Sequence, residues 1–136
     1  LPIGGQLTSI SNFLKYVSET RQSILENMIA QQLKSNGFGL NYFDGKKTGE
    51  IDFVIQNGMG IDLVEAKSGN DYKVHSALDK IRRVEGWQFE NAKVLCKGNV
   101  ENENGVWYYP WYMVMFMKPN RVPRELKYEI DLSALQ

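Results

Sequence analysis

Two strand-like runs, Glu50 to Gln56 and Gly60 to Lys67, meet across Asn57-Gly58. Asn-Gly between such runs is a strong hairpin signal, because both residues tolerate the positive φ of a tight turn. A hairpin constrains its surroundings, since side chains alternate between the two faces of a strand. Glu50 and Asp52 share one face, and Ile51, Phe53 and Ile55 take the other. On the second strand Leu63, Glu65 and Lys67 share a face. A two-residue turn at Asn57-Gly58 places Asp52 opposite Leu63, with Glu65 on the diagonal. A turn at Gly58-Met59 sets Asp52 directly opposite Glu65. Either turn gathers Asp52, Glu65 and Lys67 on one side. A three-residue loop splits them across the sheet unless a bulge restores the parity.

The gathered set has a chemical use. Two carboxylates a few Å apart repel, so one protonates or a cation bridges them. A hard divalent cation, Mg²⁺ or Mn²⁺, prefers carboxylate oxygens, carbonyls and water. Such a metal lowers the pKa of a bound water and neutralises charge developing on a phosphate. Lys67 is placed to position that water or stabilise the transition state. Asp52, Glu65 and Lys67 are thus the candidate catalytic residues, and Asp52 and Glu65 candidate metal ligands. The plain alternative is an ion-paired, solvated hairpin face. Glu50 is either a further ligand or a solvated strand end.

A helix precedes the hairpin. Ile24, Leu25, Met28, Ile29, Gln32 and Leu33 recur at spacings of three and four from about Thr20 to Ser35. Asn36-Gly37 supplies its C-terminal cap. Glu26 lies at the edge of the apolar stripe, near Ala30 and Leu33, where it faces the sheet as a third metal ligand or remains a surface glutamate. Upstream, Ile10, Phe13, Leu14 and Val17 could line a short helix. A strand is expected over Phe38–Phe43, a turn over 44–49, a helix over Val74–Glu85 and a strand over Ala92–Cys96. A mobile loop is expected over Lys97–Gly105, and one or two strands, broken near Pro110, over Val106–Met117. A last short strand is expected over Lys127–Leu132. Helix, three strands, helix and strand imply an α/β (α+β) domain, a mixed central sheet flanked by helices.

Composition narrows the class. The 136 residues suit one domain with its own core. No apolar run approaches the ~20 residues of a membrane span. A single cysteine, Cys96, and the lack of a signal-like start lead us to expect a cytoplasmic, reducing setting. The formal net charge is zero, which argues against tight non-specific DNA binding by this domain alone. The chain begins with Leu1, so a C-terminal portion of a longer protein is the expectation.

Several other residues invite functional readings with simpler alternatives. His75, the lone histidine, is expected at a helix start or on the surface. Lys46 and Lys47 either contact phosphate or are solvated. Lys73, Lys80, Arg82 and Arg83 could form a basic helix face near the site. Trp107, Tyr108, Tyr109, Trp111 and Tyr112 suit base stacking, but aromatic strands more often build core or a partner interface. Met113, Met115 and Met117 alternate as one strand face would. A homo-oligomeric contact is one use of that surface.

Asp52 followed by Glu65-Ala66-Lys67, with Glu26 on the preceding helix, resembles the PD-(D/E)xK nuclease-like superfamily. In that superfamily an acid on one strand is followed by (Asp/Glu)-x-Lys on the next, usually after a helical glutamate. Ile51 stands where the name-giving proline is often found. The text ILENMIAQQLKSNGFGLNYFDGKKTGEIDFVI with IDLVEAKSGN is similar to the C-terminal domain of uncharacterised prokaryotic AAA-type ATPases, over about residues 21–85. The resemblance implies a restriction-endonuclease-like core, a Mg²⁺- or Mn²⁺-dependent site acting on DNA, and an ATPase domain upstream. It equally admits an inactive nuclease fold that regulates or oligomerises the ATPase. Gly39 to Lys47 narrowly misses a phosphate loop and reads as strand and turn.

Overall fold

The computed structural model describes residues 3–120. The expected strand over Lys127–Leu132 lies outside the described residues. The first element, α1, is one helix over Ile3–Ser35. It includes the upstream stretch that the sequence suggested as a separate short helix. Its last two turns bury Ile29 and Leu33 against the sheet. The helix stops in a Schellman arrangement. Phe38 N–H donates to Leu33 O at 3.0 Å, Gly37 N–H donates to Lys34 O at 3.0 Å, and Gly37 takes a φ of 101°. Phe38 and Leu33, bonded across the cap, are both buried in the same core.

Six strands follow: β1 (Leu40–Gly45), β2 (Gly49–Asn57), β3 (Gly60–Ala66), β4 (Asn91–Cys96), β5 (Glu101–Glu103) and β6 (Val106–Pro110). They form one mixed sheet in the order β1-β2-β3-β4-β6-β5. β1–β2 and β2–β3 pair antiparallel, while β3–β4 and β4–β6 pair in parallel. A parallel pair needs a crossover, and the short helix α2 (Ser76–Arg82) lies within the β3-to-β4 connection. The fold is mixed α/β, as expected.

The sheet divides two cores. On one side Ile29, Leu33 and Phe38 pack with Phe53, Ile55, Val64, Ala66 and Leu95. On the other, Leu78 and Ile81 of α2 pack with Ile51, Leu63, Val94 and Val106. Burial on both faces explains why β3 reads buried from Asp62 to Ala66.

Three local expectations are corrected. Beyond Pro110 the chain forms a 3₁₀ helix, Trp111–Phe116, and not a second strand. The methionine alternation therefore marks no sheet face: Val114 is buried while Met115 is exposed. The segment expected as a mobile loop contains β5, paired antiparallel with β6. Its turn is Asn104-Gly105, with φ of 53° and 81°, the two positive values of a type I′ turn. Finally, Ile51 does not share a face with Phe53 and Ile55. It belongs to the α2 core, they to the α1 core.

That last correction has a cause in β2. Asn41 pairs with Val54 and Phe43 with Ile51, so Asp52 and Phe53 together oppose Tyr42 alone. Two residues against one is a β-bulge, which breaks strict alternation and re-aims side chains. The bulge sits at Asp52, the first acid of the candidate site.

Candidate metal and phosphodiester site

The β2–β3 turn puts Gly58 and Met59 at its centre, because Asn57 pairs with Gly60. Gly58 has a φ of 64° and Met59 is not positive, the pattern of a type II′ turn. This is the register in which Asp52 faces Glu65. The ladder runs from Asn57↔Gly60 to Phe53↔Val64 and stops there. One step further, Ala66 N–H donates to Asp52 Oδ2 at 2.8 Å. The side chain of Asp52 thus takes a backbone donor that an unbroken ladder would give to Ile51 O.

Around this point the remaining residues converge. Glu65 is 6% exposed. Its Oε2 lies 3.7 Å from Lys67 Nζ, while its Oε1 is buried with no hydrogen-bond partner among the described residues. An orphaned carboxylate oxygen is costly unless something supplies it with charge. The Lys67 backbone is held on two sides: its N–H donates to Leu95 O at 2.9 Å, and its carbonyl accepts from Trp111 Nε1 at 3.0 Å. α1 closes the group through Gln22. Gln22 Nε2 donates to Ala66 O at 2.6 Å and to Glu26 Oε1 at 2.8 Å, and Gln22 Oε1 accepts from Ser68 N–H at 2.9 Å.

Electrostatics report the crowding. Burial raises Asp52 from 3.8 to about 6, opposed by the Ala66 hydrogen bond and assisted by Glu26. Burial also raises Glu65 from 4.5 to about 7; the Asp52 charge adds to this, and Lys67 opposes it. Both acids are thus held well above their ordinary range, Asp52 at about 6 and Glu65 at about 7. Glu26 acts on both, so the structure brings Glu26, Asp52, Glu65 and Lys67 into one neighbourhood. Glu50 is exposed and contributes least to Asp52.

The family described as "Domain of unknown function (DUF4143)" matches residues 21–114. The chain belongs to that family. No curated protein and no solved structure matches it. The matched stretch of this DUF4143 chain spans Gln22, Glu26, Asp52, Glu65 and Lys67 together.

The donor set suits one kind of ion. Among the described residues, no three His, Cys, Asp or Glu side chains stand close enough together to form a ready cage. That arrangement does not suit a metal that needs an all-protein shell. Mg²⁺ keeps several waters and takes one or two carboxylates, with carbonyls and substrate phosphate completing the shell. Asp52, the orphaned Glu65 Oε1 and Ala66 O are oxygen donors of that kind, and Glu26 lies close enough to Asp52 and Glu65 to act on both.

Other candidates resolve differently in the DUF4143 fold. His75 is buried at the head of α2, where a surface position was one expectation. Its Nδ1 meets Asp79 Oδ1 at 3.0 Å and its Nε2 meets the Tyr108 hydroxyl at 2.5 Å. Both ring nitrogens are spent on fastening α2 to β6. Lys73 pairs with Glu101 and Glu103, at 3.0 and 2.8 Å, and Arg82 donates to Asn104 O at 3.1 Å, so these two serve the β5–β6 edge. Tyr108 is core, whereas Trp107 stacks on Tyr109 with centroids 5.9 Å apart. Sequence reasoning missed Gln22. Its one available signal was a spacing of four from Glu26, which is ordinary on a helix surface. Among the described residues, no helix is long and apolar enough to cross a membrane.

Proposed function

We propose that this DUF4143 chain is a metal-dependent, PD-(D/E)xK nuclease-like domain that hydrolyses phosphodiester bonds in DNA. The observation that carries the reading is the carboxylate pair, half-buried Asp52 and buried Glu65, beside Lys67, with Glu65 Oε1 left without a partner among the described residues. Asp52 and Glu65 would hold Mg²⁺ or Mn²⁺ together with water, and Glu26 would join as a third acid once its carboxylate leaves Gln22 Nε2. A metal bound there supplies an activated water and neutralises phosphate charge. Lys67 lies beside Glu65 and its side chain is 29% exposed, which leaves room for it to reach an approaching phosphate oxygen. Asp52 keeps the β2 and β3 ends together through Ala66 N–H, which sets the spacing of the two acids. Attachment to an AAA-type ATPase rests on the sequence resemblance over about residues 21–85. A reducing, cytoplasmic setting agrees with Cys96, which is buried and free.

The test is plasmid nicking with Mn²⁺. Wild type is expected to relax supercoiled DNA, and Asp52→Ala and Lys67→Ala to lose at least ~100-fold in rate, the scale of one lost electrostatic stabiliser. Intact DNA and RNA after prolonged incubation with Mn²⁺ would refute catalysis by the isolated domain.

One observation favours a second reading, a catalytically inactive module that oligomerises or regulates an ATPase or binds a partner. Ile10, Phe13, Leu14, Ile24 and Met28 of α1 are all more than half exposed. Met28 also lines an apolar groove of about 530 Å³ with Leu25, Trp111 and Met115. Large exposed apolar surface marks interfaces. On this reading Asp52→Ala changes assembly or stability, and specific Asp52-dependent nicking contradicts it.

A further inference from the structure

Gln22 makes three hydrogen bonds, and together they fix which way its amide points. Ser68 N–H can only donate, so the atom facing it at 2.9 Å is the Gln22 carbonyl oxygen. The amide nitrogen must then face the other two partners, Ala66 O at 2.6 Å and Glu26 Oε1 at 2.8 Å. An –NH₂ group carries two hydrogens, one for each oxygen. Both of those oxygens are hard donors of the kind Mg²⁺ takes. One belongs to the residue between Glu65 and Lys67, the other to the acid on α1. The partial positive charge of the amide thus stands between a carbonyl and a carboxylate, where a cation would also be attracted.

We infer that Gln22 is a place-holder for the divalent cation in the metal-free protein, and that it must yield for the ion to reach Ala66 O and Glu26. The inference rests on the metal-dependent reading of the site. Gln22 is a positioning residue: it keeps two oxygens aimed at one point and competes with the ion for them. Its third bond, to Ser68, ties that competition to the loop that follows Lys67. The loop shifts when the amide turns, so cation entry and the conformation of residues 68–70 are coupled.

The sign of the effect separates this role from a merely structural staple. Gln22→Glu keeps the acceptor for Ser68 and replaces the –NH₂ with an oxygen. Metal-free, that oxygen repels Ala66 O and Glu26; with the ion present it becomes a ligand. Gln22→Met keeps the length and removes the competitor. Mn²⁺ binding is measured directly by the loss of the free-ion electron paramagnetic resonance signal, in wild type, Gln22→Glu, Gln22→Met and Asp52→Asn. The expected result is tighter binding than wild type in both Gln22 variants, by about tenfold in Gln22→Glu and a few-fold in Gln22→Met, with Asp52→Asn weaker. The thermal midpoint of Gln22→Glu should fall in EDTA and recover with Mn²⁺. Asp52-dependent binding that both Gln22 variants leave unchanged or weaken would overturn the place-holder role alone. Absence of Mn²⁺ binding in all four proteins would remove the cation reading, and this inference with it.

Discussion

Asp52 Oδ2 accepts the Ala66 amide hydrogen at 2.8 Å, where the β2–β3 ladder would otherwise have continued. A side chain here replaces a backbone acceptor, and this anchors Asp52 to the residue between Glu65 and Lys67. Removing the carboxylate and keeping an acceptor are therefore different experiments. Asp52→Ala leaves the buried Ala66 N–H unpaired and is expected to cost about 1–3 kcal/mol. Asp52→Asn keeps an acceptor and removes a buried charge, so at pH 8 and without metal it should match or exceed wild-type stability. Urea denaturation of both variants checks the order.

Stability without metal should fall as pH rises. Asp52 and Glu65 titrate at about 6 and about 7 when folded, above their ordinary 3.8 and 4.5. A raised acid binds more protons in the folded state than in the unfolded one, so its stabilising contribution is complete below about pH 4. It is lost as pH climbs through 6 and 7. A tenfold change in proton affinity corresponds to about 1.4 kcal/mol, so the two acids together give a change on the order of a few kcal/mol between pH 5 and pH 8. Urea midpoints at pH 5, 6.5 and 8 should decline in wild type and flatten in Glu65→Gln. Rising midpoints over that window would contradict the burial of the pair.

A second buried charge is structural. Asp62 is fully buried and accepts from Asn57 Nδ2 at 3.0 Å, Asn91 Nδ2 at 2.9 Å and Lys93 Nζ at 3.1 Å. Asp62→Ala leaves Lys93, itself mostly buried, without a counter-charge. The expected loss is about 3–5 kcal/mol, read from chemical denaturation.

Tyr108→Phe tests whether the His75 network is separate from the site. It removes the hydroxyl that His75 Nε2 meets and should cost about 1–3 kcal/mol. Mn²⁺ affinity and nicking rate per folded molecule should stay at wild-type values.

Much of the site was legible because strand alternation and one turn decide which acids meet. The Gly58-Met59 register, one of the two even turns that the sequence offered, runs to Phe53↔Val64, and its next step is Asp52 with Glu65. The bulge at Asp52-Phe53 was not legible. It depends on pairing with β1, and nothing local in the Ile51–Ile55 run distinguishes it from a regular strand. The β5–β6 hairpin carried the same Asn-Gly signal as the first, at Asn104-Gly105, but Glu101–Glu103 is short and wholly polar, with no alternation to mark it. The 3₁₀ helix after Pro110 was hidden by residues that favour strands in isolation. It forms where Asn36 Nδ2 bonds Val114 O and Met117 O, both at 2.8 Å. The helix-start position of His75 was legible, but its burial was not, because its partners, Asp79 and Tyr108, come from a helix turn and a strand 33 positions away.

The central claim is that Asp52 and Glu65 are kept together for a divalent cation. Calorimetric titration with Mn²⁺ at pH 6.5, in two buffers of different ionisation enthalpy, tests it most directly. Wild type is expected to bind with release of about one proton, since a metal ligand must be deprotonated and the two acids titrate near that pH. Binding should weaken at least tenfold in Asp52→Asn and Glu65→Gln. No binding to the wild-type protein, or binding that neither substitution alters, would contradict it.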